Sequence, residues 1–243
     1  MKAHLGLAAI CCLIPASLLA QSPTALPPPP PTQAAHNSDI ELAERLLAAR
    51  RDYQTSLEQL RAYYLAHQDL ERARWAEDEL REFHRINKHA YRLELDVPPP
   101  TLHAQYNIQE ANELYRRAML YKDRGWGTTY KDNQHRAEIL LQQLLTNYPQ
   151  SDKIAAAAYQ LGDIYESRAY QQYRRAAAYF ERCVQWNPTT EYDARLRAAR
   201  LYDHQLHEQA RALELYTEIS AHDVDPKRME EASRRIAELR GGK

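Results

Sequence analysis

Asp203, His204 and His207 are close enough in the chain to share a metal ion. A zinc site needs three or four donors that converge. These three fall where a helix is expected to end and turn, so they read as solvated polar groups. His84 and His89 are five residues apart, a spacing that does not put two side chains on one helical face. No Gly-rich phosphate loop, HExxH, CxxC or nucleophile elbow occurs. Carboxylates are many, and none is singled out by an apolar setting. The expectation is a chain with no catalytic, cofactor or metal residue and no small-molecule substrate.

Two other features invite a chemical reading. Cys183 sits on an apolar stripe and reads as a small buried hydrophobe rather than a nucleophile. Gly125 and Gly127 flank Trp126, so a helix must break there. With Lys122, Arg124 and Tyr130 alongside, this loop holds the aromatic and Arg types that dominate binding hot spots. Trp126 is either a partner-binding element or a satellite core folded over the hairpin edge.

The elements that must carry these residues are helical. The 243 residues include 6 Gly, 17 Tyr and 2 Phe, and Arg outnumbers Lys 25 to 7. Abundant Ala, Leu, Glu, Gln and Arg favour helix over sheet. The hydrophobic fraction is 44% and the net charge −1, so a core can form and no basic field for nucleic acid exists.

The stretch 151–188 is the organising unit. Ala158, Leu161, Gly162 and Tyr165 recur at i, i+3, i+4 and i+7, and Ala176, Phe180 and Cys183 form a second stripe. SRAYQQYRR between them must turn, Ser151 is placed as an N-cap, and Pro188 ends the second helix. Gly inside a helix costs about 1 kcal/mol relative to Ala. Gly162 therefore marks a close helix crossing.

At Ala158, Leu161, Gly162, Tyr165, Ala176, Phe180, Cys183 and Pro188 this hairpin resembles a tetratricopeptide repeat, with a turn two residues longer than usual. Ala111, Leu114, Ala118, Ala137, Leu141, Leu144 and Pro149 mark another such unit, whose loop YKDRGWGTTYKDNQHR is about ten residues over the family length. Ala194, Ala198, Leu201, Ala212, Tyr216 and Ile219 mark a third, with Thr189 or Thr190 as cap and Arg197 in place of the family's Leu. Leu57, Leu60, Tyr64, Ala73 and Leu80 give a degenerate first repeat. Its helices are expected to start at caps Ser38 and Asp69, and Leu70, Ala73, Leu80 and Phe83 form the inner face of the second. Residues 227–240 form a last amphipathic helix, with Met229, Ala232, Ile236 and Leu239 inward and Glu230, Glu231, Arg234 and Arg235 facing solvent. The expected fold is all-α, an α-solenoid of about four hairpins plus a C-terminal capping helix. Residues 140–165 also resemble the repeat domains of bacterial cell-envelope proteins, among them a Tol-Pal-linked division coordinator and an outer-membrane assembly lipoprotein.

Residues 1–20 read as a secretory signal peptide or an uncleaved anchor, with Cys11 and Cys12 poorly placed for acylation. Residues 21–37, with Pro27–Pro31, form a spacer or a ligand for a proline-reading domain. A hairpin follows over 38–95, then a Pro-rich hinge or rigid spacer at 96–101 and the repeats over 102–240. The expected location is the periplasm or cell envelope. The resemblance implies a scaffold that binds a peptide or partner helix in a groove lined by Gln109, Asn112, Arg116, Tyr159, Asp163, Glu166, Tyr192, Arg195 and Tyr202. The competing expectation is a homo-oligomer assembled through the stripe Ala43, Leu46, Tyr53, Leu57, Leu60 and Tyr64.

Overall fold

A computed structural model describes residues 34–241. The signal-like run, Cys11, Cys12 and Pro27–Pro31 lie outside the described residues. The described chain is all-α: α1 (Ala34–Ala66), α2 (Leu70–Arg85), the single turn α3 (Leu93–Asp96), α4 (Gln109–Tyr121), α5 (Thr128–Asn147), α6 (Ile154–Glu166), α7 (Tyr173–Trp186), α8 (Ala194–His204), α9 (Gln209–His222) and α10 (Pro226–Gly241). Helices pack on their chain neighbours in sequential pairs, as in a helical repeat, and α10 covers α9.

The pairs share one turn device. Gln68, Asp123, Gln171 and His207 are the described non-Gly residues with positive φ, one in each of the turns α1–α2, α4–α5, α6–α7 and α8–α9. In three of them the left-handed residue directly precedes the N-cap of the return helix, at Asp69, Gln172 and Glu208. Four residues past each cap comes a buried Ala, at 73, 176 and 212, whose N–H donates to the cap carbonyl. A small residue there lets the return helix approach its partner closely.

The core runs through α4–α9. Leu161, Tyr165, Ala158, Ala176, Phe180, Cys183, Ala212 and Tyr216 are buried, and Leu114 packs on the core half-buried. A Cβ on Gly162 would lie 2.6–2.9 Å from three ring atoms of Phe180. The close crossing expected at this glycine is there, and Phe180 is what fills it.

Several local expectations are corrected. Ser38 lies inside α1 rather than at its start, so the helix reaches into the expected spacer. Ser151 stands three residues ahead of α6; its Oγ accepts from the Lys153 amide at 3.1 Å, a short turn before the helix rather than a cap on it. Asp193 stands at the N-cap of α8 in place of Thr189 or Thr190. The long α4–α5 loop shrinks to residues 122–127 because Thr128 onward is already helical. Leu70 is exposed, because the inner face of α2 is set by Ala73 and Ala76. Glu231 and Arg235 do not simply face solvent: they pair with Arg200 and Asp203 of α8 and so dock the capping helix.

The Pro-rich stretch, expected as a hinge or a rigid spacer, is strapped to α7. Tyr179 donates to the Asp96 carbonyl at 3.3 Å, Arg182 to Pro98 at 2.7 Å and Trp186 to Pro99 at 3.0 Å. Val97, within it, is buried. The carbonyls of Asp96, Pro98 and Pro99 have no helix or sheet partner of their own, so one flank of α7 supplies three donors in register. Arg85 of α2 grips Asp132 of α5 with two bonds of 3.0 and 2.9 Å, which joins the first hairpin to the body.

Candidate functional site

The loop between α4 and α5 carries the most exposed large aromatic of the repeat core. Asp123, Gly125 and Gly127 all have positive φ. A Cβ on Gly125 would come within 2.9 Å of the Thr129 side chain, so glycine is needed there for space as well as torsion. Gln134 of α5, fully buried, donates to Asp123 Oδ1 at 2.8 Å and pins the loop from below. This turn pushes Trp126 outward to 82% exposure. Of the two readings of Trp126, the satellite core is therefore set aside. Arg168, from the adjacent α6–α7 turn, lies 5.6 Å from the Trp126 ring centroid and 4.9 Å from that of Tyr130. Together with Lys131 and Ala169 they bound a concavity of about 450 Å³. Two consecutive hairpins thus present one aromatic and cationic patch at the same edge.

The groove residues divide into two groups. On the facing row of α4, α6 and α8, Tyr159 donates to Asp193 Oδ1 at 2.8 Å and stacks on Tyr192, with centroids 4.3 Å apart. Asp163 pairs with Lys122 and, at 2.6 Å, with Arg197, which also pairs with Glu166. Burial opposes charge on Lys122 and on Asp163, but the ion pairs outweigh it: the ammonium is held above its usual range and the carboxyl below its own. Burial raises the Tyr159 phenol. These contacts lock three hairpins to one another. Gln109 and Arg116 are exposed on α4, with Arg116 bound to Glu113 at 2.8 and 3.0 Å, and Asn112 donates to Asn107. Arg195 and Tyr202 lie on the other flank of α8. Arg195 pairs with Glu218 of α9 at 3.2 Å, and Tyr202 faces Glu181 of α7.

Sequence reasoning missed Arg168, Arg197 and Asp193. Arg197 had a signal, since a cation replaced an apolar residue on a packing stripe. Arg168 had none, because its place depends on how successive turns line up.

A second polar concentration lies inside the body. Glu138 of α5 accepts from the Tyr165 hydroxyl at 2.7 Å and from Tyr170, and His135 Nδ1 sits 3.3 Å away. Gln142 bridges to Tyr165 at 2.7 Å, and the Arg175 guanidinium lies 4.1 Å from the Tyr165 ring centroid. Burial pushes the Glu138 carboxyl up; the bond to His135, the Arg175 charge and the two tyrosines pull harder and leave it at about 2. Asp203, the acid of the possible metal trio, is buried and accepts from Arg235 and Tyr216 while His204 is exposed. Among the described residues no group of three or more His, Cys, Asp or Glu side chains is placed to hold a metal ion. No described helix is long and apolar enough to cross a membrane.

No protein-family model, curated protein or solved structure matches this chain.

Proposed function

We propose that the chain is a non-enzymatic protein-interaction scaffold, a tetratricopeptide-type solenoid that binds a peptide or partner helix. The exposure of Trp126, held over Arg168 by a loop that needs two left-handed glycines, is the observation that carries this reading. A solvent-facing indole is costly to leave uncovered, and Trp and Arg are the types that supply interface energy when buried against a partner. The row formed by Tyr159, Tyr192 and the ion pairs of Lys122, Asp163 and Arg197 offers a rigid flank along which such a partner can extend, with Gln109 and the Glu113-paired Arg116 exposed at its α4 end. The apolar run of residues 1–20 supports export to the periplasm or cell envelope. Fractionation of cells expressing the tagged chain tests that placement, and recovery with cytosolic markers would overturn it.

Trp126→Ala is expected to shift the unfolding free energy by less than about 0.5 kcal/mol, because the side chain has little core to lose. The same change should weaken capture of the partner from cell-envelope extract by about 2 kcal/mol, or roughly thirtyfold. Undiminished capture by the variant, measured against wild type on one column, would remove the patch from the binding surface.

One observation favours self-assembly as a second reading. Leu42, Leu46, Tyr53, Leu60 and Tyr63 of α1 are exposed, two of them by more than half. Their spacing fits a seven-residue repeat, the pattern of a seam for another helix. Ala43 and Leu57, on the expected stripe, are instead buried. Leu46→Glu with Leu60→Glu should reduce any oligomer to monomer in light scattering while leaving helix content unchanged. A wild-type chain that is monomeric at high concentration would end this reading.

A further inference from the structure

Four cations converge where the first hairpin meets the body. Arg50 and Arg51 come from α1, Lys88 from the segment after α2 and Arg175 from α7, and they line a cavity of about 260 Å³. Two carboxylates, Asp96 and Glu138, also line it, leaving two cations in excess in a chain whose net charge is −1. Glu138 is already engaged by Tyr165, Tyr170 and His135. Among the described residues, the Asp96 carboxylate has one ion-pair partner, Arg175, at 3.5 Å. Arg50 lies over the Tyr91 ring at 5.9 Å, and Lys88 over Phe83 at 4.2 Å while it donates to the Phe83 carbonyl at 2.8 Å. Among the described residues, no carboxylate lies within ion-pair distance of Arg50, Arg51 or Lys88.

Arg175 is the telling member. It is more than nine-tenths buried, yet its Nε has no partner among the described residues. Its face lies on the Tyr165 ring, and its remaining polar contacts are long: 3.3 Å to the Lys88 carbonyl, 3.4 Å to Gln172 and the 3.5 Å approach to Asp96. A buried guanidinium normally saturates its donors, so this one is left under-satisfied. Burial depresses the Lys88 ammonium; the Glu138 charge opposes this, and the neighbouring charges of Arg50 and Arg175 add to it. Folding thus holds like charges together around an open volume, an arrangement that an anion in that volume would relieve.

We propose that this cavity is a binding site for a small doubly charged oxyanion, a phosphate or a short dicarboxylate. Arginine forks match the oxygen geometry of both, and the volume falls just below the range usual for drug-sized ligands, which suits a molecule of few heavy atoms. The site is separate from the Trp126 edge and does not depend on the scaffold reading.

The test is calorimetric titration of the full chain with inorganic phosphate and, separately, with succinate, against sodium chloride at matched ionic strength. One-to-one binding of one anion over chloride is expected, with an anion-dependent rise in unfolding temperature. Preference for phosphate or for succinate identifies which source the site takes. Arg50→Gln with Arg51→Gln, at positions outside the core, should weaken binding at least tenfold with no loss of stability in anion-free buffer. Arg175→Lys keeps the charge and loses the fork, and should weaken binding similarly; if it does not fold, the α1 double variant decides. Trp126→Ala should bind the anion as wild type does. Equal weak binding of all three salts, or wild-type affinity in the α1 double variant, would overturn the proposal.

Discussion

Glu138→Ala is expected to cost about 3–5 kcal/mol in urea or thermal unfolding, the range found when one member of a buried charged network is removed. The alanine has nothing to offer the Tyr165 and Tyr170 hydroxyls or His135, and it strips Arg175 of a neighbouring negative charge inside the body. Each group left unpaired then keeps its desolvation cost without its bond. The wild-type chain should show the same dependence through pH. The Glu138 carboxyl is ordinarily near 4.5 and is held at about 2 in the fold. Because the folded value is the lower one, the unfolded chain binds more protons between the two. The contribution is therefore complete above about 4.5 and is lost as pH falls toward 2, by roughly 3 kcal/mol in all. Glu138→Ala should lack this component of the acid limb. A variant that loses less than about 1 kcal/mol, with an acid limb like wild type, would mean that the carboxylate is not the hub of this network.

Gly162→Leu should be the next most damaging substitution, at about 3 kcal/mol or more, because overpacking a closed crossing displaces both backbone and rings. The added side chain has nowhere to go: its Cβ alone would sit 2.6 Å from Phe180 Cε1. Phe180 cannot swing aside cheaply. It is fully buried, it packs against Tyr159 at 5.6 Å, and the Arg197 guanidinium lies 4.5 Å from its ring centroid. Gly162→Ala separates the two opposing effects. Helix propensity favours Ala by about 1 kcal/mol, and displacement of the Phe180 ring costs about 1–3 kcal/mol, so a net loss is expected. Adding Phe180→Leu to Gly162→Ala should recover part of that loss by opening the crossing. Denaturation of the three variants gives the comparison; a Gly162→Ala chain more stable than wild type would show that the ring yields freely.

The two substitutions probe different kinds of information. The crossing at Gly162 was legible from the chain. Ala158, Leu161, Gly162 and Tyr165 fall on one stripe by helical period, and the partner stripe of Ala176, Phe180 and Cys183 follows the same rule. The buried network was not legible. Glu138 looks like any surface glutamate in its own helix, and its partners Tyr165, Tyr170 and Arg175 come from two later helices and the turn between them. The same holds along α1. Periodicity marked Leu46, Tyr53 and Leu57 as one stripe, but only the angle at which α2 docks decides that Leu57 is buried while Leu46 and Tyr53 are exposed.

The amino-acid sequence alone determined the all-α class, the sequential hairpins, the inward stripe of each core helix and the break around Trp126. These follow from local rules: residues three and four apart share a helix face, and glycine and proline limit the backbone within a turn. Tertiary structure alone decided that Trp126 points outward beside Arg168, that the proline stretch is strapped to α7 by Tyr179, Arg182 and Trp186, and that Arg50, Arg51, Lys88 and Arg175 surround one cavity. Those outcomes depend on where separate helices come to rest against one another. Hydrogen bonding and charge act over a few ångströms of space whatever the distance along the chain, so no local spacing encodes them.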